Sequence, residues 1–336
     1  MNLLTIFTGG TIGSYKNNGV ISLKEKRPIL IEKYQEKYGD GVNFIIEEPY
    51  TCFSEDMSLK HYHLLLEVIK KAPLKELDGI IITHGTDTLG YSANILGMLL
   101  GNASIPVVLV SSNYGLEDDR ANGFKNFEDA VNFIREGIPG VFVCFFQDNI
   151  SYVHLATRVL QSPHFLDRFY SVGGCYFGTM EEGSFCYHKD SRNVAIEALK
   201  GAPSYVEEST LEQVDKTVLM LPSYVGCDYD AISIEKFLGA VMIETYHSGT
   251  LCNSESFHRL LERCKEKKVP VFVGPISKEH NEIPYDTTAS IKEQQVTYYI
   301  GQSKEAFYAK LVVLMQQKQG EELKQAVEKE RYFEVI

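Results

Sequence analysis

The apolar positions of this chain fall into short blocks separated by longer amphipathic stretches. LLTIF (3–7), VNFII (42–46), GIII (79–82), VVLV (107–110) and VFVCFF (141–146) are mainly apolar runs of strand length. Such runs suit strands covered on both faces, because neither face then carries the alternating polar residues of a half-solvated sheet. Between them, residues 29–38, 59–71, 91–100 and 124–135 repeat apolar side chains at helical intervals. This alternation predicts a mostly parallel sheet flanked by helices.

The rhythm weakens between residues 147 and 216. There NISYVHL and SVGGCYFGTM read as short strands, and the polar tract EALKGAPSYVEESTLEQVDK carries the turn residues Gly201 and Pro203. It returns with TVLMLP (217–222), AVMIETYH (240–247) and VPVFVGP (269–275), with helices expected at 233–238 and 254–267 and one continuous helix from 303 to 327. The expected fold class is α/β: a larger N-terminal doubly wound, mostly parallel sheet domain at 1–190, a linker at 191–216 and a smaller C-terminal α/β domain at 217–336. No internal repeat or low-complexity segment is visible.

Two of the early apolar runs end in unusual polar clusters. After Ile80, Ile81 and Ile82 come Thr83, His84, Gly85, Thr86, Asp87 and Thr88, before Leu89, Ala93 and Leu96 resume a helical pattern. Helix capping by Thr86 and Asp87 would account for part of this. The carboxyl ends of strands are also where open α/β sheets bind ligands. The first strand ends in a similar way, in Thr8, Gly9, Gly10, Thr11, Ile12, Gly13 and Ser14. Paired glycines let the backbone turn sharply and expose its amides to a bound group. The spacing matches neither the dinucleotide fingerprint nor the P-loop.

TGGTIG and HGTDT, about 75 residues apart, together resemble the two signature motifs of the asparaginase/glutaminase family, and the chain is most similar to its cytoplasmic type I bacterial members. The length and the two-domain pattern extend the likeness over the whole chain. The resemblance implies hydrolysis of the side-chain amide of L-asparagine, or a related small amide, without metal or cofactor, in a homodimer or homotetramer. It matches Thr11 to the nucleophile and Thr86 to the residue that relays protons and positions water. Asp87 then meets the substrate ammonium, Ser54 its α-carboxylate, Glu55 takes the adjoining contact, and Gly10 lies in the turn that binds substrate. These roles make chemical sense: a hydroxyl nucleophile needs a proton acceptor, and the oxyanion it creates needs aimed donors such as turn amides.

Three further features follow from the same likeness. Counting without gaps from Phe146 puts Arg158 where the family keeps a lysine paired with the second threonine. Arginine stays protonated, so it stabilises negative charge but cannot act as a base. In the loop after the first strand the family supplies a tyrosine; Val20 falls near that place, and Tyr15 is the candidate lid residue. The loop YHSGT, with Tyr246 and Ser248, is expected to approach a neighbouring subunit. Glu55 and Arg158 also leave open action on another amide, or a catalytically silent protein that binds a small molecule. His84 is expected to be a hydrogen-bonded strand-end residue rather than a base.

Composition narrows the alternatives. The chain has 336 residues, 44% hydrophobic and 23% charged, enough for two domains with a sizeable core. A formal net charge of -12, with no basic block, argues against nucleic acid as a partner. Seven cysteines form no CxxC pair and read as reduced thiols of a cytoplasmic protein, and His61 and His63 are spaced two apart, so no metal site is expected. The apolar part of MNLLTIFTGG is too short for a signal peptide, and no stretch approaches a membrane span.

Overall fold

The computed structural model describes residues 1–13, 15–17, 20–22, 29–201, 211, 216–235, 238–294 and 296–336. They form two compact units, Met1–Glu212 and Gln213–Ile336. The first contains β1 (Asn2–Phe7), β2 (Tyr15–Asn17), β3 (Val20–Ser22), α1 (Ile29–Tyr38), β4 (Asn43–Glu47), α2 (Leu59–Lys71), β5 (Gly79–Thr83) and α3 (Leu89–Leu100). It continues with β6 (Pro106–Val110), α4 (Gly123–Arg135), β7 (Gly140–Gln147), β8 (Ile150–Leu155), β9 (Gly178–Glu181), β10 (Ser184–Tyr187) and α5 (Ile196–Lys200). Among the described residues, strands β2 and β3 pair with each other, and the other eight strands of this unit form one sheet in the order β10-β9-β8-β7-β6-β5-β1-β4.

Strands β4, β1, β5, β6 and β7 run parallel, and β7 to β10 close the sheet as an antiparallel meander. The apolar runs explain the centre: every residue of β5 and β6 is buried. Each of Ile80, Ile81 and Ile82 contributes about 1.5–3 kcal/mol by leaving water. The order also fixes where a ligand can sit. The chain runs from β1 outward to β4, then crosses back to β5 on the other side of β1, so the connections leave β1 and β5 in opposite directions. A crevice opens at such a switch point, beyond the carboxyl ends of the strands. Both hydroxyl-rich motifs leave the sheet there, Phe7 pairing with Thr83 at the last register position.

The second unit contains β11 (Thr217–Leu221), β12 (Leu238–Glu244), α6 (Glu255–Glu266), β13 (Val271–Ile276), α7 (Lys278–Glu282), α8 (Asp286–Lys292), β14 (Thr297–Ile300), α9 (Lys304–Leu314) and α10 (Gly320–Val327). Its strands form a parallel sheet in the order β11-β12-β13-β14. Ser254 and Ser303 start α6 and α9 by accepting the amides of Phe257 and Ala306. Lys310 and Glu334 form a fully buried ion pair at 2.5 Å. Its members are also hydrogen-bonded, Lys310 to the carbonyls of Val327 and Lys329, Glu334 from the amides of Arg331 and Tyr332.

Several local expectations are corrected. Residues 232–235 form no helix and Leu238 already belongs to β12, the expected stretch of six residues being too short to nucleate a helix; residues 236 and 237 lie outside the described residues. The single C-terminal helix is two, α9 and α10, separated at 315–319 and restarted at Gly320 with a positive φ. SVGGCYFGTM is a strand only from Gly178; Val172–Gly174 is a 3-10 turn containing left-handed glycines. Within the tract read as a linker, Ile196–Lys200 is helical, and residues 202–210 and 212–215 lie outside the described residues. All seven cysteines are free thiols. No helix among the described residues is long and apolar enough to cross a membrane.

Candidate active site at the sheet switch point

The first turn is held in place from both sides of β1. Thr8 donates its hydroxyl to the carbonyl of Thr83 at 2.6 Å, and its own carbonyl accepts the amide of Cys52 at 3.2 Å. Gly9 bridges to Cys52, and Gly10 lies against the next strand end. At φ 81°, a Cβ on Gly10 would fall 2.5 Å from the amide nitrogen of Gly85. Only glycine serves there, both for its left-handed backbone and for the backbone-to-backbone approach. The 3-10 turn Thr11–Gly13 follows, with Thr11 half-buried and Ile12 anchored in the core.

The second motif turns in the same way. His84 is buried and donates its backbone amide to Val110. Its Nδ1 is 2.7 Å from the carbonyl of Gly85, and a carbonyl only accepts, so Nδ1 carries the proton. Burial pushes the basicity of this imidazole below its ordinary value. Thr86–Thr88 form a 3-10 turn, and the cap position of α3 falls on Thr88, which makes no side-chain cap bond. Thr88 donates its hydroxyl instead to the carbonyl of Ser54 at 2.8 Å. Ser54 opens the 3-10 turn Ser54–Asp56, and its hydroxyl lies against Gly85.

Three chain segments therefore meet: Gly10 and Thr11, Ser54 and Glu55, and Thr86 and Asp87. Ser54 is buried, while Glu55 and Asp87 are exposed. Burial, together with the acidic Asp56 and Glu55, raises the neighbouring Cys52 thiol above its ordinary value. Asp87 accepts a bond from Gln161 Nε2 at its backbone carbonyl, 2.5 Å, which leaves the carboxylate outside that contact. The Thr86 hydroxyl donates to Oδ1 of Asn113 at 3.4 Å.

Arg158 ends the 3-10 turn Ala156–Arg158, which packs on α3, and it is 4% exposed. One guanidinium nitrogen donates to the carbonyl of Arg192 at 2.7 Å, and the group also faces the Cys175 thiol. The backbone of Tyr15 lies in β2, but its side chain, and that of Val20, fall outside the described residues. In the second unit, Tyr246 and Ser248 sit in a tight turn: the Tyr246 amide donates to Thr250, Gly249 donates back to Tyr246, and Ser248 lies 3.4 Å from the Thr250 hydroxyl.

Asn113, Thr88 and Gln161 join the site without having stood out as site residues in the sequence. Asn113 had a visible signal, because Ser111, Ser112 and Asn113 end the apolar run of β6 as HGTDT ends that of β5. Thr88 belonged to the motif but points at Ser54. Gln161 had none, since its contact with Asp87 spans 74 positions. Among the described residues, no group of three or more His, Cys, Asp or Glu side chains could hold a metal ion.

Fold and site together define an α/β protein with hydroxyl-bearing turns gathered at a parallel-sheet switch point. The chain belongs to the asparaginase family: the family model for the asparaginase N-terminal domain matches residues 2–193. An L-asparaginase from Thermococcus kodakarensis is 30% identical over 179 residues, which cover 52% of this chain and 54% of that protein. A glutamyl-tRNA(Gln) amidotransferase component from Methanococcus maripaludis is 26% identical over 282 residues, covering 80% of this chain and 65% of that protein. The chain thus spans only about half to two thirds of the length of these curated relatives. The structure of the thermostable L-asparaginase from Thermococcus kodakarensis superposes with a TM-score of 0.81 at 24% identity, covering 100% of this chain and 99% of that one. L-asparaginase I from Vibrio cholerae gives 0.78 at 20% identity, with the same coverage.

Proposed function

We propose that this chain is an amidohydrolase that cleaves the side-chain amide of L-asparagine, or a related small amide, with Thr11 as nucleophile. The observation that carries this reading is the contact of Gly10 with Gly85, which joins the two hydroxyl-bearing turns at the switch point. Family membership and the L-asparaginase relative support the substrate class. In the reaction, Thr11 Oγ bonds to the amide carbon, and its proton passes through Thr86 to the nitrogen. The carbon–nitrogen bond then breaks, ammonia leaves, and a threonyl ester remains. Water adds to the ester, its proton returns through Thr86 to Thr11 Oγ, and the acid is released. Turn amides would face the oxyanion, while Asp87 meets the ammonium and Ser54 the α-carboxylate.

A second reading is favoured by Arg158. A permanent cation bonded to the Arg192 carbonyl cannot accept a proton, so turnover is expected to be slow, and a chain retained mainly for binding would look the same. The amidotransferase relatives support a third reading, action on an amide other than that of asparagine. Ammonia release from asparagine, glutamine and small amides at several pH values tests all three. No ammonia from any of them, with asparagine still bound, would leave the binding reading. We further propose a cytoplasmic homodimer or homotetramer, which light scattering at micromolar concentration checks; a monomer would remove it.

A further inference from the structure

Thr86 carries the protons in the proposed reaction, so the partner of its hydroxyl sets what the relay can do. That partner is brought in by strand register. Thr83 pairs with Val110 across β5 and β6, and three residues beyond each lie Thr86 and Asn113. Their hydroxyl-to-Oδ1 bond of 3.4 Å therefore joins two adjacent strand ends on the carboxyl side of the sheet. An amide oxygen accepts a hydrogen bond but does not hold a proton near neutral pH. The cation Arg158 is no base either.

We infer that Asn113 is a positioning residue that fixes the direction of the Thr86 hydroxyl and limits how fast it can relay; the inference rests on the amidohydrolase reading above. With its proton aimed at Asn113, Thr86 turns its lone pairs toward the Thr11 hydroxyl or the attacking water. When Thr86 takes a proton from Thr11, its own proton must leave in the same step for the amide nitrogen, because Asn113 cannot store it. A carboxylate at this position would store it. The proton would cross from Thr86 to the carboxylate as the Thr11 oxygen–carbon bond forms. It would return through Thr86 to nitrogen as the carbon–nitrogen bond breaks, leaving the carboxylate regenerated and ammonia released.

The test compares wild type, Asn113→Asp and Asn113→Leu on L-asparagine, with kcat and KM measured separately from acidic to mildly alkaline pH. Asn113 is exposed, so all three should fold with matching melting curves. Asn113→Asp should raise kcat by about tenfold or more, the scale of one acid–base step, and Thr11→Ala in that background should abolish the gain. The gain should fade as pH drops through titration of the new carboxylate. The charged groups on the segments that adjoin it are Asp87 on the Thr86 turn, Glu55 on the neighbouring turn, and the paired Asp118 and Arg120 further along its own loop. Asn113→Leu should lower kcat by about tenfold with KM within about twofold. An Asn113→Asp protein no faster than wild type, or faster without an acidic limb, overturns the inference while Thr11-dependent wild-type turnover keeps the amidohydrolase reading intact. A silent wild type with an active Asn113→Asp supports both. Silence in both proteins overturns both.

Discussion

Gly85→Ala probes the assembly of the site with a single methyl group. Gly85 has φ -80° and ψ 153°, values alanine adopts freely, so the substitution adds no backbone strain. Its effect is therefore steric. The new Cβ would lie 2.5 Å from Ser54 Oγ and 2.7 Å from Ser54 Cβ, where ordinary contacts start near 3.4 Å. Ser54 is buried and its carbonyl is held by the Thr88 hydroxyl, so the turn Ser54–Asp56 must move by about 1 Å to make room. A displacement of that size at a substrate contact can cost about 100-fold in kcat/KM, equivalent to about 2.7 kcal/mol. Because Ser54 is assigned to the α-carboxylate, most of the loss should appear in KM for L-asparagine, and propionamide, which lacks that group, should lose much less. Unfolding by urea should shift by about 1–3 kcal/mol. Gly41→Ala, with nothing within 4 Å of the added methyl, is the control and should change stability by less than about 0.5 kcal/mol. If Gly85→Ala leaves asparagine kinetics at wild-type values, or slows both amides equally, Ser54 is not the carboxylate contact and the reasoning fails.

Thr11→Ala should abolish turnover with little change in the melting curve, and Thr86→Val should come close to it; matched activity of wild type and Thr11→Ala would place the nucleophile elsewhere. Arg158→Lys puts a titratable amine at this position and removes the bond to Arg192, so turnover should rise by about tenfold or more while the melting temperature falls; unchanged turnover with the lower melting temperature would make Arg158 purely a tie to the loop of Arg192. Lys310→Met leaves Glu334 charged and buried without its partner and should destabilise the second unit by about 3–5 kcal/mol in urea, and a shift below about 1 kcal/mol would mean that the pair is not buried in solution. Burial lowers His154 from 6.5 to about 3, so the unfolded chain takes up a proton that the folded one refuses. The stability this gives is complete above pH 6.5 and is lost as pH falls toward 3; His154→Gln should flatten that part of the profile, and an unaltered slope would refute it.

The sequence determined the parallel core and the polar make-up of the strand-end turns for one physical reason: both are local. Strands such as Ile80–Ile82 announce themselves as unbroken apolar runs because they are covered on both faces, and a strand end rich in hydroxyls and glycine stands out against such a run. It also determined that position 158 holds a permanent cation. The tertiary structure decided the rest. Strand order placed β5 beside β1 rather than β4, and so brought together turns that lie far apart in the chain. Register set Asn113 level with Thr86, and loop packing carried Gln161 to the carbonyl of Asp87. Arg158 shows the division most clearly: its charge follows from residue type, whereas its bond to the Arg192 carbonyl depends on how the segments beyond β8 and β10 pack. Such contacts arise from burial and hydrogen-bond satisfaction between segments remote in sequence, and no local pattern of side chains encodes them.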